Sequence, residues 1–302
     1  MNIECSFNRQ PTLDNLQKFV ERLRIDYSNF DRCVEQQLKI SIIIPSYNQI
    51  KFIEKRILSV LNQNYPNLEL IIIDGGSTDG TLDIIKKYEK YLSYWTSEPD
   101  EGQSDALNKG FSRATGDIFG WLNSDDLYMP DVFSRVVETF DIYSEKKIIF
   151  GDYLTIDSEE NLIDYNFAFD FNLNHFKYEG FHLNSQAMFW RRCVHQKFGN
   201  FDKSLHRTMD YQMILSFGIN EGEDSFFRLP YVLGCFRRHE EQKTKGMDDY
   251  VICEHMAMAA KYNYTDKYLS IGKYKRLIFR FRRAFWYFKR GGVVYLVRQI
   301  IK

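Results

Sequence analysis

The feature that most constrains this chain is a short apolar run, ISIIIP, which spans residues 40–45 and ends at a proline. Continuous apolar runs rich in β-branched residues are typical of strands that are buried on both faces, as in parallel sheets. A similar run, LELIIID, follows at residues 68–74, and weaker ones occur at residues 92–97 and 117–123. We therefore predict four strands of a parallel sheet in the first half of the chain.

Amphipathic segments separate these four runs. Residues 52–63 place Ile57 and Val60 on one helical face, and further helices are predicted at residues 81–88 and 103–114. Strands that alternate with helices in this way specify an α/β domain with a parallel sheet. The loops that follow the strands then meet at one edge of the sheet, where open α/β folds bind their ligands.

The second half of the chain continues the same domain, because no linker rich in Pro, Gly or Ser interrupts it. Its predicted elements are strands at residues 148–156, 186–190 and 226–236 and helices at residues 191–198 and 209–217. We therefore predict one domain over residues 39–250, composed of halves 39–146 and 147–250. A helical extension at residues 1–38 precedes it, and a helical basic region at residues 251–302 follows it.

The basic residues are concentrated near the end of the chain. Residues 267–302 contain eleven Lys or Arg and no Asp or Glu, whereas the rest carries 29 basic and 41 acidic side chains. Apolar residues such as Leu277, Phe281 and Phe285 recur among these cations at helical spacing. This pattern predicts an interfacial helix that binds an anionic membrane surface. The alternatives are a helix packed on the acidic body or on a partner subunit, and RNA binding. No nucleic acid is expected to bind the acidic main domain.

The five cysteines are isolated and include no CxxC pair, so the sequence predicts neither a zinc site nor a disulfide framework. Isolated cysteines fit a reducing compartment. The first residues, MNIECSFNRQ, do not resemble a signal peptide, and no apolar stretch is long enough to span a bilayer. We expect a cytoplasmic protein that is peripheral on the cytoplasmic face of a membrane.

Two adjacent carboxylates follow the fourth predicted strand. Residues 121–130 have the sequence WLNSDDLYMP, so Asp125 and Asp126 lie at the carboxyl end of a strand. Carboxylates are costly to bury there unless they meet a cation, and hard divalent ions prefer oxygen ligands. The segment therefore predicts a Mn²⁺ or Mg²⁺ site. The alternative is that the two acids cap the next helix.

An acid followed by small residues also ends the second strand, in the sequence IIIDGGSTDG at residues 71–80. A strand end of this kind, leading into a helix, resembles a nucleotide-binding turn. The alternative is that Ser77 or Thr78 serves only as a helix cap. The glycine spacing of dinucleotide-binding folds is missing, which argues against a nicotinamide-dependent oxidoreductase.

In their order and spacing, five segments resemble the family 2 inverting glycosyltransferases of the A-type fold. They are SIIIPSYNQ (41–49), LSVLNQNYPNLELIIIDGGSTDGT (58–81), EPDEGQSDALNKGFSRATGD (98–117), WLNSDDLYMPD (121–131) and TMDYQMIL (208–215). The resemblance implies one A-type domain with a mostly parallel central sheet flanked by helices. It also implies a metal-dependent enzyme of polysaccharide or glycolipid assembly. Such an enzyme moves a hexosyl or N-acetylhexosaminyl group from a nucleotide-diphosphate donor, with UDP favoured, to a saccharide or lipid-linked saccharide acceptor, with inversion.

The resemblance implies roles for individual residues. Asp210 matches the catalytic base, which would take the proton of the acceptor hydroxyl. A plain helix-terminal acid is the alternative. Asp125 matches the metal ligand, and His239 is a second candidate ligand. Gln186 would face the acceptor, while Arg238 and Lys243 would contact the diphosphate. Donor contacts are implied for Pro45, Tyr47, Asn48, Asp74, Asp105, Asn108, Lys109, Asn123, Ser124 and Asp126. Structural roles are the alternative for Asp105, Asn108 and Gln186, and solvent exposure for His239.

Two positions depart from the pattern of the family. Asn123 stands where many members have the first Asp of the metal motif, which removes one charge. Gly75 stands where many members have a second acid that contacts the base, which weakens the preference for UDP over other nucleotides. These departures leave an alternative of a different class, a catalytically degenerate protein of the same fold that binds sugar or lipid.

Overall fold

The computed structural model describes residues 38–123, 126–179, 183–238, 249–264 and 277–288. Its strands are β1 (Ile40–Ser46), β2 (Leu68–Asp74), β3 (Tyr94–Ser97), β4 (Ile118–Trp121), β5 (Leu127–Tyr128), β6 (Ile148–Ile156), β7 (Leu162–Asn166), β8 (Met188–Arg191) and β9 (Phe226–Arg237). Its helices are α1 (Ile53–Leu61), α2 (Thr81–Lys87), α3 (Gln103–Arg113), α4 (Val132–Ile142), α5 (Leu173–Glu179), α6 (Arg192–Phe198), α7 (Met209–Glu221), α8 (Asp249–Lys261) and α9 (residues 277–288).

All the described strands belong to one sheet, in the order β3-β2-β1-β4-β8-β6-β9-β5, with β7 paired to β6. The four strands of the first half are parallel, which confirms the predicted α/β arrangement. The sheet becomes mixed at β8, which is antiparallel to both β4 and β6. Beyond it, β9 is parallel to β6, whereas β5 and β7 are antiparallel edge strands.

The mostly apolar sequence of β1 follows from burial on both faces. Ile42 and Ile44 belong to one core cluster together with Ile57 of α1. Ile43 belongs to the cluster on the opposite face, together with Leu107 of α3. All these side chains have no exposed surface. Burial on both faces favours apolar side chains at most positions of this strand, with Ser41 and Ser46 as the exceptions, which is why the run predicted the strand so well.

The domain extends further along the chain than the sequence predicted. On α8, the side chains of Val251, Glu254, His255, Met258 and Ala259 are buried, and Met258 belongs to one of the two core clusters. The domain therefore includes α8 and does not end at residue 250. The predicted extension at residues 1–38 lies almost entirely outside the described residues. Of the helices that the structure describes, none is long and apolar enough to cross a bilayer.

Candidate active site

The carboxyl ends of the parallel strands form one edge of the sheet. Ser46 at the end of β1 is opposite Asp74 at the end of β2, and Asp74 is opposite Ser97 of β3. The backbone N–H of Leu122, just after β4, donates to Ile43 of β1. The loops that follow β1 to β4 are therefore neighbours, as predicted, and together we call them the donor side.

Asp74 organises the donor side from within the protein. It has no exposed surface. Its carboxylate accepts hydrogen bonds from the N–H groups of Gly76 (3.1 Å) and Ser77 (2.8 Å), and from the hydroxyls of Ser77 (2.6 Å) and Ser97 (2.7 Å). Four hydrogen bonds offset the cost of burying the charge. Both oxygens are thus engaged by the protein, and Asp74 holds the loop that follows β2.

The loop after β1 is fastened to the loop after β2. Asn48 has a left-handed backbone (φ 50°), its N–H donates to Ser77 Oγ (2.8 Å), and its Oδ1 accepts from the N–H of Thr78 (2.9 Å). Pro45 is buried within β1. The neighbouring Tyr47 is 59% exposed and offers an open aromatic face beside the strand ends. Of the predicted donor contacts on this loop, Tyr47 is therefore placed for stacking, while Asn48 and Pro45 hold the loop.

A carboxylate lies against the glycine that departs from the family pattern. A Cβ atom at Gly75 would be only 2.9 Å from Oδ2 of Asp100 and 3.1 Å from its Cγ, so a side chain there would displace Asp100. The other oxygen, Oδ1, accepts from the N–H of Gly102 (2.8 Å). The acid missing at position 75 is thus replaced in space by an acid from the loop after β3.

Three of the residues that were predicted to contact the donor form bonds within the protein at α3. Asp105 accepts from Lys203 Nζ (2.6 Å) and pairs with Lys109 Nζ (3.3 Å), and the hydrogen bond from Lys203 contributes most to lowering the pKa of Asp105. Asn108 bonds through both ends of its amide to the backbone of Phe201 (3.0 and 2.8 Å). The bonds of Asp105 to Lys203 and of Asn108 to Phe201 hold the loop before α7 on α3, which is in keeping with the structural alternative for Asp105 and Asn108.

Asn123 joins three elements at the end of β4. Its Oδ1 accepts from Trp121 Nε1 (2.9 Å) and Gln103 Nε2 (2.8 Å), and its Nδ2 donates to Ser185 Oγ (3.4 Å). Both lone pairs of the amide oxygen are thereby used. Asn123 therefore connects the end of β4 with α3 and with the turn at Ser185.

The remaining residues of the predicted metal motif are only partly described. Asp126 has no exposed surface, and its Oδ1 accepts from the N–H of Arg237 (3.1 Å), which ties this loop to β9. Ser124, Asp125 and His239 lie outside the described residues. Among the residues that are described, no group of three or more His, Cys, Asp or Glu could hold a metal ion.

Arg238 and Lys243 were predicted to contact the diphosphate. Arg238 is exposed directly after β9, and its N–H donates to the carbonyl of Ile156 (2.8 Å). Lys243 lies outside the described residues. Arg237, which precedes Arg238, is buried, and its guanidinium donates to the backbone carbonyls of Asp157 (3.2 Å) and Ser158 (3.1 Å). The backbone at Arg238, where the chain leaves the sheet, is therefore held in place by hydrogen bonds.

Two buried polar side chains near the sheet edge are unsatisfied. Gln186 has no exposed surface, and neither polar atom of its amide forms a hydrogen bond within the part of the chain that the structure describes. It follows Ser185, the partner of Asn123, in the turn Ser185–Ala187. The hydroxyl of Ser46, a residue that the sequence analysis did not select, is also buried without a partner. Such groups cost about 1–3 kcal/mol each, so bound water or a ligand group would be favoured there.

Asp210 lies half-buried in the first turn of α7. Burial raises its pKa to about 6, the hydrogen bond from the N–H of Tyr211 (2.8 Å) opposes this rise, and the negative charge of Glu254 adds to it. A carboxylate with a raised pKa is a stronger base once ionised, and such groups cluster at functional sites. We call Asp210 and the turn Ser185–Ala187 the acceptor side.

Contacts between α3 and α7 bring Asp210 to the sheet edge. The hydroxyl of Ser104, in the first turn of α3, contacts Met209 Sδ (3.1 Å), which adjoins Asp210. Its neighbour Gln103 reaches Asn123 on the donor side. Asp210 and the end of β4 are therefore linked through one turn of α3, although 87 positions separate Asn123 from Asp210 in the sequence.

Glu254 on α8 holds the segment that leads into α7. This buried carboxylate accepts from the N–H of His206 (2.8 Å) and from the hydroxyl of Thr208 (2.7 Å). The sequence analysis missed Glu254 because it belongs to none of the recognised segments. The only signal in the sequence was an acid on the inner face of an amphipathic helix, which is not specific enough to find it.

Known proteins were compared with the whole chain. An uncharacterized glycosyltransferase of Nostoc sp. is 34% identical over 129 residues, 40% of this chain and 40% of that protein. One of Rickettsia typhi is 30% identical over 190 residues, 59% and 58% of the two chains. TuaG of Bacillus subtilis, a candidate glycosyltransferase of teichuronic acid biosynthesis, is 40% identical over 102 residues, 33% and 40% of the two chains. The alignments therefore span about half of each relative or less than that.

Solved structures share the fold. TarS of S. aureus (residues 1–349, in complex with UDP-GlcNAc) superposes with a TM-score of 0.61 at 16% identity, over 80% of this chain and 71% of TarS. The mannosyltransferase PcManGT of Pyrobaculum calidifontis, in complex with GDP-Man and Mn²⁺, gives 0.54 at 16% identity, over 82% and 72%. These similarities confirm the predicted A-type fold. The sequence also matches the family described as glycosyl transferase family 2 over residues 41–198, more than half of its length. The chain is therefore a member of glycosyl transferase family 2.

Proposed function

We propose that this protein transfers a sugar from a nucleotide-diphosphate donor to an acceptor hydroxyl, with inversion at the anomeric carbon. The observation that carries the proposal is the state of Asp210, whose pKa is raised to about 6 by burial at the end of a helix linked to the sheet edge. A general base that works near neutral pH needs this combination of partial burial and strong basicity. A purely structural acid in this position would instead have both oxygens engaged by groups of the protein, as Asp74 and Asp105 have.

The chemistry assigned to Asp210 is a proton transfer. The acceptor oxygen attacks the anomeric carbon while the bond from that carbon to the diphosphate breaks on the opposite face. Asp210 takes the proton of the acceptor hydroxyl as the new glycosidic bond forms, and the diphosphate leaves with the bonding electrons. Help from a positioned base accelerates such a reaction by roughly 10²–10⁴. The attack from the opposite face inverts the configuration of the sugar.

Donor recognition is assigned to the donor side. The exposed ring of Tyr47 is available to stack on a nucleobase, as aromatic side chains commonly do. Asp100 beside Gly75 supplies a carboxylate that can accept from an N–H on the edge of the base. Uracil presents one such N–H, so this carboxylate is compatible with UDP, as it is with other bases that carry an N–H. TarS, which shares the fold, binds UDP-GlcNAc.

We propose Mn²⁺ or Mg²⁺ as the cofactor. The proposal rests on the position of Asp125 in the sequence and on PcManGT, which shares the fold and whose complex contains Mn²⁺. The engagement of the Asn123 amide oxygen by Trp121 and Gln103 removes one candidate ligand, so Asp125 and His239 would carry the ion. When bound, a divalent cation would neutralise charge on the leaving diphosphate.

On the acceptor side, Gln186 is the candidate for orienting the acceptor, because neither the donor nor the acceptor group of its buried amide has a hydrogen-bond partner among the described residues. The acceptor is proposed to be a saccharide or lipid-linked saccharide of polysaccharide or glycolipid assembly, and TuaG is named for a comparable pathway. A lipid-linked acceptor would place the enzyme at the cytoplasmic face of a membrane, through the basic residues 267–302.

The engaged amide of Asn123 also favours one alternative, a degenerate protein that binds a sugar or lipid without turnover. A thermal-shift screen of UDP, GDP, CDP and ADP, with and without Mn²⁺, tests donor binding, because a ligand that binds only the folded state raises its melting temperature. We expect the largest shift with UDP and Mn²⁺ together. Slow hydrolysis of the matching nucleotide sugar would then separate an enzyme from a binding protein. No shift with any nucleotide would contradict the proposal.

A further inference from the structure

The helix α9 is docked on the body of the protein through one face. The ring of Phe279 lies 5.3 Å from that of His175 and 6.0 Å from that of Tyr178, both on α5. The ring of Trp286 lies 5.5 Å from that of Phe169, and Trp286 packs against one of the two core clusters. This part of the basic region is thus held in a defined orientation.

The opposite face of α9 is apolar and open to solvent. Between 41% and 69% of each side chain on this face is exposed, namely for Leu277, Ile278, Phe281, Phe285 and Phe288. With about 100° of rotation per residue, these five positions fall within an arc of about 100°. A surface helix normally turns its apolar stripe towards the core. On α9, an additional apolar stripe points away from it, and an exposed apolar patch of this kind marks an interaction surface.

Cations accompany the apolar arc. Arg280 and Arg282 are exposed on α9, and the arc lies between them on the helical wheel. They belong to the segment 267–302, which has eleven basic residues and no acidic one, whereas the rest of the chain is acidic. A second copy of the chain would bring an equally basic segment to the same place, so charge repulsion opposes dimerisation through this face. An anionic bilayer is complementary to this face, because its interior accepts the apolar side chains and its negative surface attracts the arginines.

We propose that the exposed face of α9 is a membrane-docking surface. The five apolar side chains insert below the headgroups of an anionic bilayer, and Arg280 and Arg282 contact lipid phosphates. This deepens the proposed function, because it identifies which side of the protein meets the membrane that would carry a lipid-linked acceptor. Vesicle binding needs neither donor nor turnover, so its failure would be distinct from a failure of the transferase assignment.

The test uses the full-length protein and co-sedimentation with vesicles of phosphatidylglycerol mixed with phosphatidylcholine, or of phosphatidylcholine alone. The triple variant Phe281→Ser/Phe285→Ser/Phe288→Ser should bind the anionic vesicles about tenfold more weakly or worse, because it loses the inserted apolar area. The matched control is Tyr91→Ser/Ile142→Ser, whose side chains are 53% and 65% exposed elsewhere on the protein. The control should bind as the wild type does.

A second pair of variants tests the charge. Arg280→Gln/Arg282→Gln should weaken binding to the anionic vesicles, by about fivefold for each arginine at low salt, and the loss should shrink as salt rises. Lys86→Gln/Lys90→Gln, which removes two exposed cations from α2 and the turn that follows it, should leave binding unchanged. If the triple phenylalanine variant fails to fold, the arginine pair with its lysine control still tests whether the exposed face of α9 binds the membrane.

Three results would overturn the proposal. One is sedimentation of the phenylalanine variant at the wild-type level. Another is equal loss of binding in the arginine pair and the lysine control. The third is self-association of the wild type in light scattering without vesicles, abolished in the phenylalanine variant, which would show that a second copy covers this face.

Discussion

Asp74 and Asn123 on the donor side differ from Gln186 and Asp210 on the acceptor side in how their polar groups are satisfied. On the donor side, the carboxylate of Asp74 accepts four hydrogen bonds, and Asn123 uses every lone pair of its amide oxygen. On the acceptor side, the buried amide of Gln186 forms no hydrogen bond with described residues, and burial raises the pKa of Asp210 to about 6.

The contrast separates the groups that build the site from those that would do chemistry in it. A site has to hold its geometry before a ligand arrives, so its frame is satisfied by the protein itself. Reactive groups remain unsatisfied or have shifted pKa values, because the ligand supplies the missing interactions. The predictions below test this division, from the largest expected effect on turnover to the smallest.

The sharpest test removes the base from the acceptor side. Asp210→Asn keeps the size of the side chain but cannot take a proton, so kcat should fall by roughly 10²–10⁴. Donor affinity, measured by calorimetry with the nucleotide diphosphate and Mn²⁺, should change less than about twofold. A variant with nearly normal kcat would show that Asp210 is only a helix-terminal acid. The product configuration, followed by NMR, should be inverted.

The matching change on the donor side should have the opposite profile. Asp74→Asn exchanges an acceptor-only carboxylate for an amide whose NH₂ group faces hydrogen-bond donors. The free energy of unfolding should fall by about 2–4 kcal/mol, and donor affinity by about tenfold, because the loop loses its anchor. Chemical denaturation and calorimetry measure the two effects. Asp83→Asn, at an exposed position in the first turn of α2, should change neither. Unaltered stability of Asp74→Asn would refute the frame role.

A smaller effect on turnover is expected at the contact between Glu254 and the segment before Asp210. Because the pKa of Asp210 is about 6, kcat/KM should fall as the pH drops below about 6 and the base becomes protonated. Glu254→Gln removes a negative charge that helps to raise this pKa, so the acid limb of the profile should move to lower pH. The amide can still bond to His206 and Thr208.

A control variant, Glu138→Gln, which lies at an exposed position on α4, should leave the profile in place. If Glu254→Gln lowers kcat/KM equally at every pH, Glu254 is purely structural and has no electrostatic influence on the base.

The smallest effect on turnover is expected at the other end of β2. Burial would raise the pKa of Glu69, but hydrogen bonds from Lys39, Ser41 and Thr115 together lower it to about 2. Since the folded pKa is below the unfolded one, the stabilisation is complete above about pH 4.5 and is lost as the pH falls towards 2. Glu69→Gln should cost about 1–3 kcal/mol at pH 7, and this deficit should shrink in acid denaturation curves. Its kcat should stay normal, in contrast to Asp210→Asn.

Much of the fold followed from local patterns in the sequence. The parallel strands were predicted mainly because burial on both faces makes most positions of a strand apolar, as in β1 and β2. Strands β5 and β7 were missed, since β5 has two residues and β7 is a short edge strand with only partial burial. Such strands form because a neighbouring strand offers hydrogen-bond partners, and their own residues do not indicate a strand. Helix α8 was predicted only as part of a helical region, and its place in the core was not.

In the candidate site too, some features could be predicted from the sequence and others could not. The sequence by itself determined the residue types at the strand ends, because parallel strands bring their carboxyl ends to one edge whatever the details of packing. Only the tertiary structure decided which of these residues are engaged by the protein. Asp105, Asn108 and Asn123 are residue types that commonly bind ligands. Their observed partners, however, are Lys203, Phe201 and Gln103 from other parts of the fold. Hydrogen bonding depends on distance and direction, and a linear sequence contains neither.

The segment 267–302 shows the same limit of prediction from the sequence. The sequence determined that the segment 267–302 is basic and aromatic, and it left membrane binding and packing on the body as alternatives. In the structure, Phe279 and Trp286 are turned to the body, whereas Phe281 and Phe285 are turned to the solvent, on the face that we propose binds the membrane. Helical spacing alone could not make this assignment, because apolar residues surround most of the helix. The choice of the buried face depended on where α5 and the core offered aromatic partners.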